Sequence, residues 1–183
     1  MTQNYHRYLD LPFTIDKPQS FMELKENDYV IMKDNSIIPS IVVDWLDTFG
    51  LFSIHTEAFF TAPNDSIDIH CDTPEIDNHV KINFTWGPSN STTRWWKLKE
   101  GRAYKPWSSK DGGGILLAKE HDCDLLYEQV IDKPSLINVG MLHSTFNPTN
   151  EGRWTLCLVP CQKGADHLLH WDDAVKIFKD YIV

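Results

Sequence analysis

Long apolar runs are missing from this 183-residue chain, and so are the commoner catalytic signatures. No stretch approaches the roughly 20 apolar residues that a helix needs to cross a bilayer. The opening MTQNYHRYLDLPF has neither a basic n-region nor an apolar h-region, so no membrane segment and no secretory signal are expected. Cysteine is scarce and scattered: Cys71, Cys123, Cys157 and Cys161 form no CxxC pair. Four such thiols predict buried, reduced side chains in a cytoplasmic protein. Basic charge is also short, 17 Lys and Arg against 26 Asp and Glu, for a net charge of −9. A field of that sign repels nucleic acid and anionic membranes, and neither is an expected partner. The triplet at 112–114 lacks the Lys-Ser/Thr of a phosphate loop. No nucleophile elbow, internal repeat, low-complexity segment or linker occurs, which sets hydrolase and nucleotide-binding readings aside.

What is present is enough apolar material for one sizeable core. With 42% hydrophobic residues, the chain reads as one domain spanning 1–183. From residue 51 to about 160 it is a series of short β-favouring runs separated by Pro, Gly, Asn and Asp turns, among them LFSIHTEAFFTA, SIDIH, HVKINFTW, TTRWWKL, SLINVG and RWTLCLVP. Such spacing predicts a mainly β sandwich or barrel. Helical spacing of Ile41, Val42, Trp45, Leu46 and Phe49 predicts a flanking helix over 39–49 that Gly50 stops. Trp171, Ala174, Val175, Phe178 and Tyr181 predict a second over 171–181. Residues 1–20, interrupted by Pro12 and Pro18, read as a strand or two on the outside. The polar segment 99–114, KEGRAYKPWSSKDGGG, reads equally as a lid or as a surface excursion.

Chemistry concentrates at Ile69-His70-Cys71-Asp72-Thr73. On an extended strand His70 and Asp72 point to one face, offering an imidazole and a carboxylate together. His143, from a distant strand following SLINVG, supplies a third ligand, and two histidines with one carboxylate suit non-haem Fe(II) with open positions. Ten residues beyond it, Arg153 and Thr155 share a face, so a guanidinium fork and a hydroxyl converge as a carboxylate-binding pair. Taken singly, His70 and Asp72 equally fit a strand end with a local hydrogen bond, and Arg153 a salt bridge. Asn83 and Thr85 alternate on the strand after this motif, and Asn83 is a candidate donor to the same carboxylate. Trp95 and Trp96 must face opposite ways, and Trp95, in phase with Thr93, is the candidate substrate-pocket residue. Cys71 should point away from the metal as a packed spectator. The remaining histidines lack a matching carboxylate and distant partner, and His121-x-Cys123 has no second half of a zinc site.

The ordered set His70-x-Asp72, His143 and Arg153-x-Thr155 resembles the Fe(II)- and 2-oxoglutarate-dependent oxygenases, over roughly residues 54–160. The tail SLINVGMLHSTFNPTNEGRWTLCLV is similar to the aspartyl/asparaginyl β-hydroxylase branch, with Asn147 and Arg153 placed alike. It departs from that branch in having Asp72, a carboxylate many of those members lack. The segment HVKINFTW with RWWKL is similar to small stand-alone oxygenases of marine phages and bacteria. The resemblance implies a double-stranded β-helix (jelly roll, cupin-like), Fe(II) on His70, Asp72 and His143, and 2-oxoglutarate chelating the metal with its far carboxylate on Arg153 and Thr155. It further implies dioxygen as co-reactant, succinate and CO2 as products, and hydroxylation of a small molecule or peptide side chain. A non-catalytic jelly-roll binding module and another cupin-type metalloenzyme stay open, and the Arg153/Thr155 pair separates them, since a metal site alone has no use for it.

Overall fold

The computed structural model describes residues 5–24, 29–32, 36–73, 78–108, 114–165 and 167–183. In chain order these contain β1 (His6–Tyr8), β2 (Tyr29–Met32), α1 (Ser40–Asp47), β3 (Leu51–Thr61), β4 (Asp65–Cys71), β5 (Val80–Trp86) and β6 (Thr92–Leu98). There follow β7 (Lys105–Ser108), β8 (Gly114–Leu117), β9 (Cys123–Val130), β10 (Ser135–Asn138), β11 (His143–Asn147), β12 (Arg153–Gln162) and α2 (Trp171–Ile177). Antiparallel ladders join them into two six-stranded sheets, β1-β10-β5-β12-β3-β2 and β7-β8-β4-β11-β6-β9. Strands β3, β5, β10 and β12 belong to the first sheet, and β4, β6, β9 and β11 to the second, so among these eight the chain changes sheet at every step but that from β6 to β9. That exchange is the double-stranded β-helix, or jelly roll, expected from the sequence. β1 and β2 widen the first sheet, and the β7–β8 hairpin widens the second.

The apolar core lies mainly on the outer side of the first sheet. Ile82 and Phe84 of β5 and Leu156 and Leu158 of β12 pack with Val42, Trp45 and Leu46 of α1 and with Trp171, Ala174 and Phe178 at α2. Trp45 and Phe178 stack with ring centroids 5.0 Å apart, so the two helices meet over the sheet. Each such fully buried ring or aliphatic side chain stabilises the fold by about 1.5–3 kcal/mol. Because strand side chains alternate, the residues between these, Lys81 and Asn83 on β5 and Arg153, Thr155 and Cys157 on β12, face the space between the sheets, where they line a cavity. The polar phase is inside and the apolar phase lies under the helices.

Several local expectations change. Ile41 is not part of the buried stripe of α1: it is 47% exposed, while Ile38 just before the helix is buried. Pro39 precedes the first helical residue, where its fixed φ and missing N–H cost least. His143 opens a strand of its own, β11, after the strand 135–138 and residues 139–142, as its place beyond SLINVG predicted. Part of the 99–114 segment is strand β7, paired with β8. Residues 109–113 of this segment lie outside the described residues. Pro160 sits within β12 where the ladder to β3 shifts register between Leu158 and Pro160, a bulge that accommodates the missing N–H. All four cysteines are buried, and none is in a disulfide. Among the described residues no helix is long and apolar enough to cross a membrane.

Candidate active site

His70 near the end of β4 pairs across the ladder with His143 at the start of β11, and Asp72 follows β4 directly. One ligand atom from each lies within 4.8 Å of the others. Asp72 Oδ1 is 3.1 Å from His70 Nε2 and 3.9 Å from His143 Nε2. Each imidazole is turned by its other nitrogen: His70 Nδ1 donates to the Asp68 carbonyl at 2.7 Å, and His143 Nδ1 donates to the Met141 carbonyl at 2.9 Å. In each neutral ring this leaves Nε2 as an acceptor aimed inward, the tautomer that a metal-binding histidine needs. The β4–β11 ladder skips a residue here, since His143 pairs with His70 but Thr145 with Ile67. This bulge lets Ile67 and His70, three apart, both line the cavity and turns the Asp68 carbonyl toward the His70 ring.

The electrostatics separate the two histidines. Burial opposes protonation of His70, but the hydrogen bond and charge of Asp72 outweigh it and raise its pKa. Burial, reinforced by neighbouring His70, pulls His143 down to about 4. Burial also opposes ionisation of Asp72, yet the Lys81 ammonium overcomes it and holds the carboxyl well below its usual range. Two neutralisable imidazoles and one anionic oxygen, all with their outer atoms already engaged, fit a divalent first-row metal held on one face.

Across the cavity, Arg153 is 3% exposed. Its Nη1 donates to Thr155 Oγ1 at 2.8 Å, its Nε has no acceptor, and it forms no ion pair among the described residues. Burial without a counter-charge lowers its pKa to about 10. The nearby Asn83 Oδ1 is likewise buried with no hydrogen-bond partner. Arg153 is placed by the turn before β12, which Asn147 holds: its Nδ2 donates to the carbonyls of Glu151 (2.7 Å), Ala62 (3.1 Å) and Thr61 (3.3 Å), while its Oδ1 accepts from Ser91 Oγ (3.0 Å) and Thr149 Oγ1 (2.8 Å). Beside it, Gly87 adopts φ 132° and passes so close to Gly152 that a Cβ would lie 2.7 Å from the Gly152 carbonyl oxygen.

The structure thus brings His70, Asp72, His143, Asn83, Arg153 and Thr155 to one cavity between the sheets. Trp95 is placed elsewhere. It faces inward in phase with Thr93, but it is fully buried in a plug with Ile131, Ile137 and Val139, and its indole N–H donates to the Asn138 carbonyl at 3.1 Å. A ring so enclosed offers no face to a substrate. Thr85 also lies outside the cavity lining. Cys71 packs with Ile69, Trp96 and Leu116 on the far side of β4, its Sγ 3.1 Å from the Gly140 carbonyl, which keeps it off the triad. Sequence reasoning passed over Lys81, whose Nζ lies 2.7 Å from Asp72 Oδ2 and 2.5 Å from Glu57 Oε2. Two signals for this pair exist in the chain: Lys81 is in phase with Asn83, and Glu57 is a carboxylate directly before the apolar run Ala58-Phe59-Phe60.

No protein-family model and no curated protein matches the chain. Solved structures similar to it include EvdO2 from Micromonospora carbonacea var. aurantiaca complexed with 2-oxoglutarate, at 10% identity and TM-score 0.39, covering 80% of this chain and 72% of that one. Escherichia coli ycfD is similar at 11% identity and TM-score 0.42 over 84% of this chain and 41% of that one. Bacillus subtilis oxalate decarboxylase, studied for its Mn(II) centres, is similar at 9% identity and TM-score 0.35 over 85% and 30%. The chain therefore spans less than half the length of the latter two. At these identities and scores the jelly-roll assignment rests on the strand order itself.

Proposed function

We propose that this chain is an Fe(II)- and 2-oxoglutarate-dependent dioxygenase that hydroxylates a small molecule or a peptide side chain. One observation carries the reading: a buried guanidinium with no carboxylate partner faces the same cavity as a His-Asp-His metal triad. An isolated buried charge is costly, and a fold that keeps one beside a metal site supports an anionic ligand bridging the two. A 2-oxo dicarboxylate has the right ends, with a 2-oxo acid group for the metal and a distal carboxylate for Arg153. His70, Asp72 and His143 would hold the iron, which when bound with the cosubstrate supplies oxidising power from dioxygen. The chain's own part is to fix both imidazole tautomers, to orient the distal carboxylate through Arg153 and Thr155, with Asn83 as a further polar contact, and to enclose the reacting centre between two sheets. Released succinate and CO2 would be the coproducts.

Anaerobic addition of Fe(II) and then 2-oxoglutarate should produce the weak visible charge-transfer band of the chelate, and admission of air should yield succinate. Absence of both would favour a jelly-roll module that binds metal or ligand without turnover. A band formed equally well by pyruvate and 2-oxoglutarate would remove the role given to Arg153.

A further inference from the structure

Lys81 and Glu57 have no part in the proposal above, yet Lys81 touches the metal triad and Glu57 touches Lys81. The Asp72 carboxylate is divided: Oδ1 faces the imidazoles of His70 and His143, while Oδ2 receives the Lys81 ammonium at 2.7 Å. The same ammonium meets Glu57 Oε2, and the other Glu57 oxygen, Oε1, is 2.9 Å from His55 Nε2. Lys81 and Glu57 are 4% and 8% exposed, so water screens little of this.

A lysine paired with Asp72 alone would cancel the charge that draws a cation into the triad. Glu57 changes that balance, because one ammonium between two carboxylates leaves a net negative charge, and Asp72 keeps its attraction for a metal. The hydrogen bond then acts without the charge penalty. With Oδ2 occupied by Lys81, Asp72 would have Oδ1 to offer a metal. A carboxylate that closed on the ion with both oxygens would take a position that a chelating 2-oxo acid and dioxygen require.

We propose that Glu57 and Lys81 form a clamp on Asp72, Lys81 acting as a positioning residue that restricts the carboxylate to one ligating oxygen and Glu57 cancelling the charge that Lys81 brings. This rests on the metal-site reading given above. Charge arithmetic around the cavity gives the clamp a signature that a packing role lacks. Lys81→Met removes a positive charge and should tighten Mn(II) while weakening 2-oxoglutarate. Glu57→Gln removes a negative charge and should do the reverse, each by about tenfold or more at low salt. The double variant Lys81→Met with Glu57→Gln restores the net charge, so Mn(II) affinity should return to within a few-fold of the parent. Without the clamp, 2-oxoglutarate should still bind the Mn(II) form about tenfold more weakly.

The test is anaerobic Mn(II) titration followed by electron paramagnetic resonance, then 2-oxoglutarate titration of the Mn(II) form, on the parent and all three variants. Opposite shifts in the two single variants support the clamp. Shifts of Mn(II) affinity in the same direction overturn it, as does a double variant that binds 2-oxoglutarate like the parent. If Lys81→Met does not fold, Glu57→Gln and the double variant decide between these outcomes. A parent that binds no Mn(II) defeats the metal site itself, whereas a parent that binds Mn(II) and 2-oxoglutarate with same-sign variants defeats the clamp alone.

Discussion

His143 stands directly across the ladder from His70, their ring centroids 4.4 Å apart. Two imidazoles so close cannot both carry a proton cheaply: against burial, the hydrogen bond and charge of Asp72 favour a proton on His70, whereas burial and the neighbouring His70 disfavour one on His143. Replacing His143 by Ala should leave the ladder intact, because the backbone pairs β11 with both β4 and β6. Fe(II) or Mn(II) affinity should fall by more than the roughly 10–100-fold typical of losing an outer-shell partner. Metal titration of the variant, with circular dichroism to check folding, measures this.

Arg153 should show opposite effects on ligand binding and on stability. Arg153→Ala should weaken 2-oxoglutarate binding to the metal-loaded protein by roughly 3–5 kcal/mol, the scale of a broken buried ion pair. Arg153→Met, which fills the space with an apolar side chain and removes an unpaired buried charge, should stabilise the ligand-free protein by about 1–3 kcal/mol. Equilibrium urea unfolding without ligand, beside 2-oxoglutarate titration of the metal form, checks both signs. A variant both less stable and unchanged in binding would show that Arg153 is structural.

Asn147→Ala tests whether the turn before β12 sets the site. The substitution leaves the carbonyls of Thr61, Ala62 and Glu151 without this donor and Ser91 without its acceptor. With Asn147 fully buried, a loss of about 3 kcal/mol is expected in denaturant unfolding. Because this turn fixes β12 relative to β11, 2-oxoglutarate affinity should fall more than metal affinity: Arg153 follows the turn, and His143 precedes it at the far end of β11.

His6 predicts a pH dependence of stability. Its ring is buried against Trp95, Tyr127 and Tyr8, and burial, with Arg7 adding, lowers its pKa from 6.5 to about 4. A histidine depressed in the folded state binds fewer protons there than when unfolded, so stability is fully present above pH 6.5 and is lost as pH falls from 6.5 toward 4. The contribution is about 3 kcal/mol on the linkage scale of 1.36 kcal/mol per pKa unit. Unfolding free energies at pH 7 and pH 4.5 should differ less in His6→Phe, which keeps the ring stack without the titrating nitrogen. An equal difference in both proteins would move the effect to another group.

Much of this was legible in the chain because strand geometry is strict. With a side-chain period of two, His70 with Asp72 and Arg153 with Thr155 had to share faces, and Trp95 and Trp96 had to part company. The stripe of α2 and the existence of α1 followed from helical spacing in the same way. Ile41 shares the helical spacing yet stays exposed, because a periodic pattern gives the direction of an apolar face but not its width, and α1 buries only Val42, Trp45 and Leu46.

Periodicity alone therefore determined a mainly β chain with two helices, and it determined which residues travel together on each strand. Only the tertiary structure decided which phase is interior. On β5 and β12 the apolar phase is the outer one, because α1 and α2 supply its partners, and this leaves the polar phase to face the second sheet across the cavity. Tertiary packing alone also brought Lys81 to Asp72 and Glu57 to Lys81. They come from β5 and β3, and separations along a chain carry no record of which strands will pair. Finally it closed Trp95 into a plug, since parity can aim a side chain inward but cannot say whether the space it meets is open or filled.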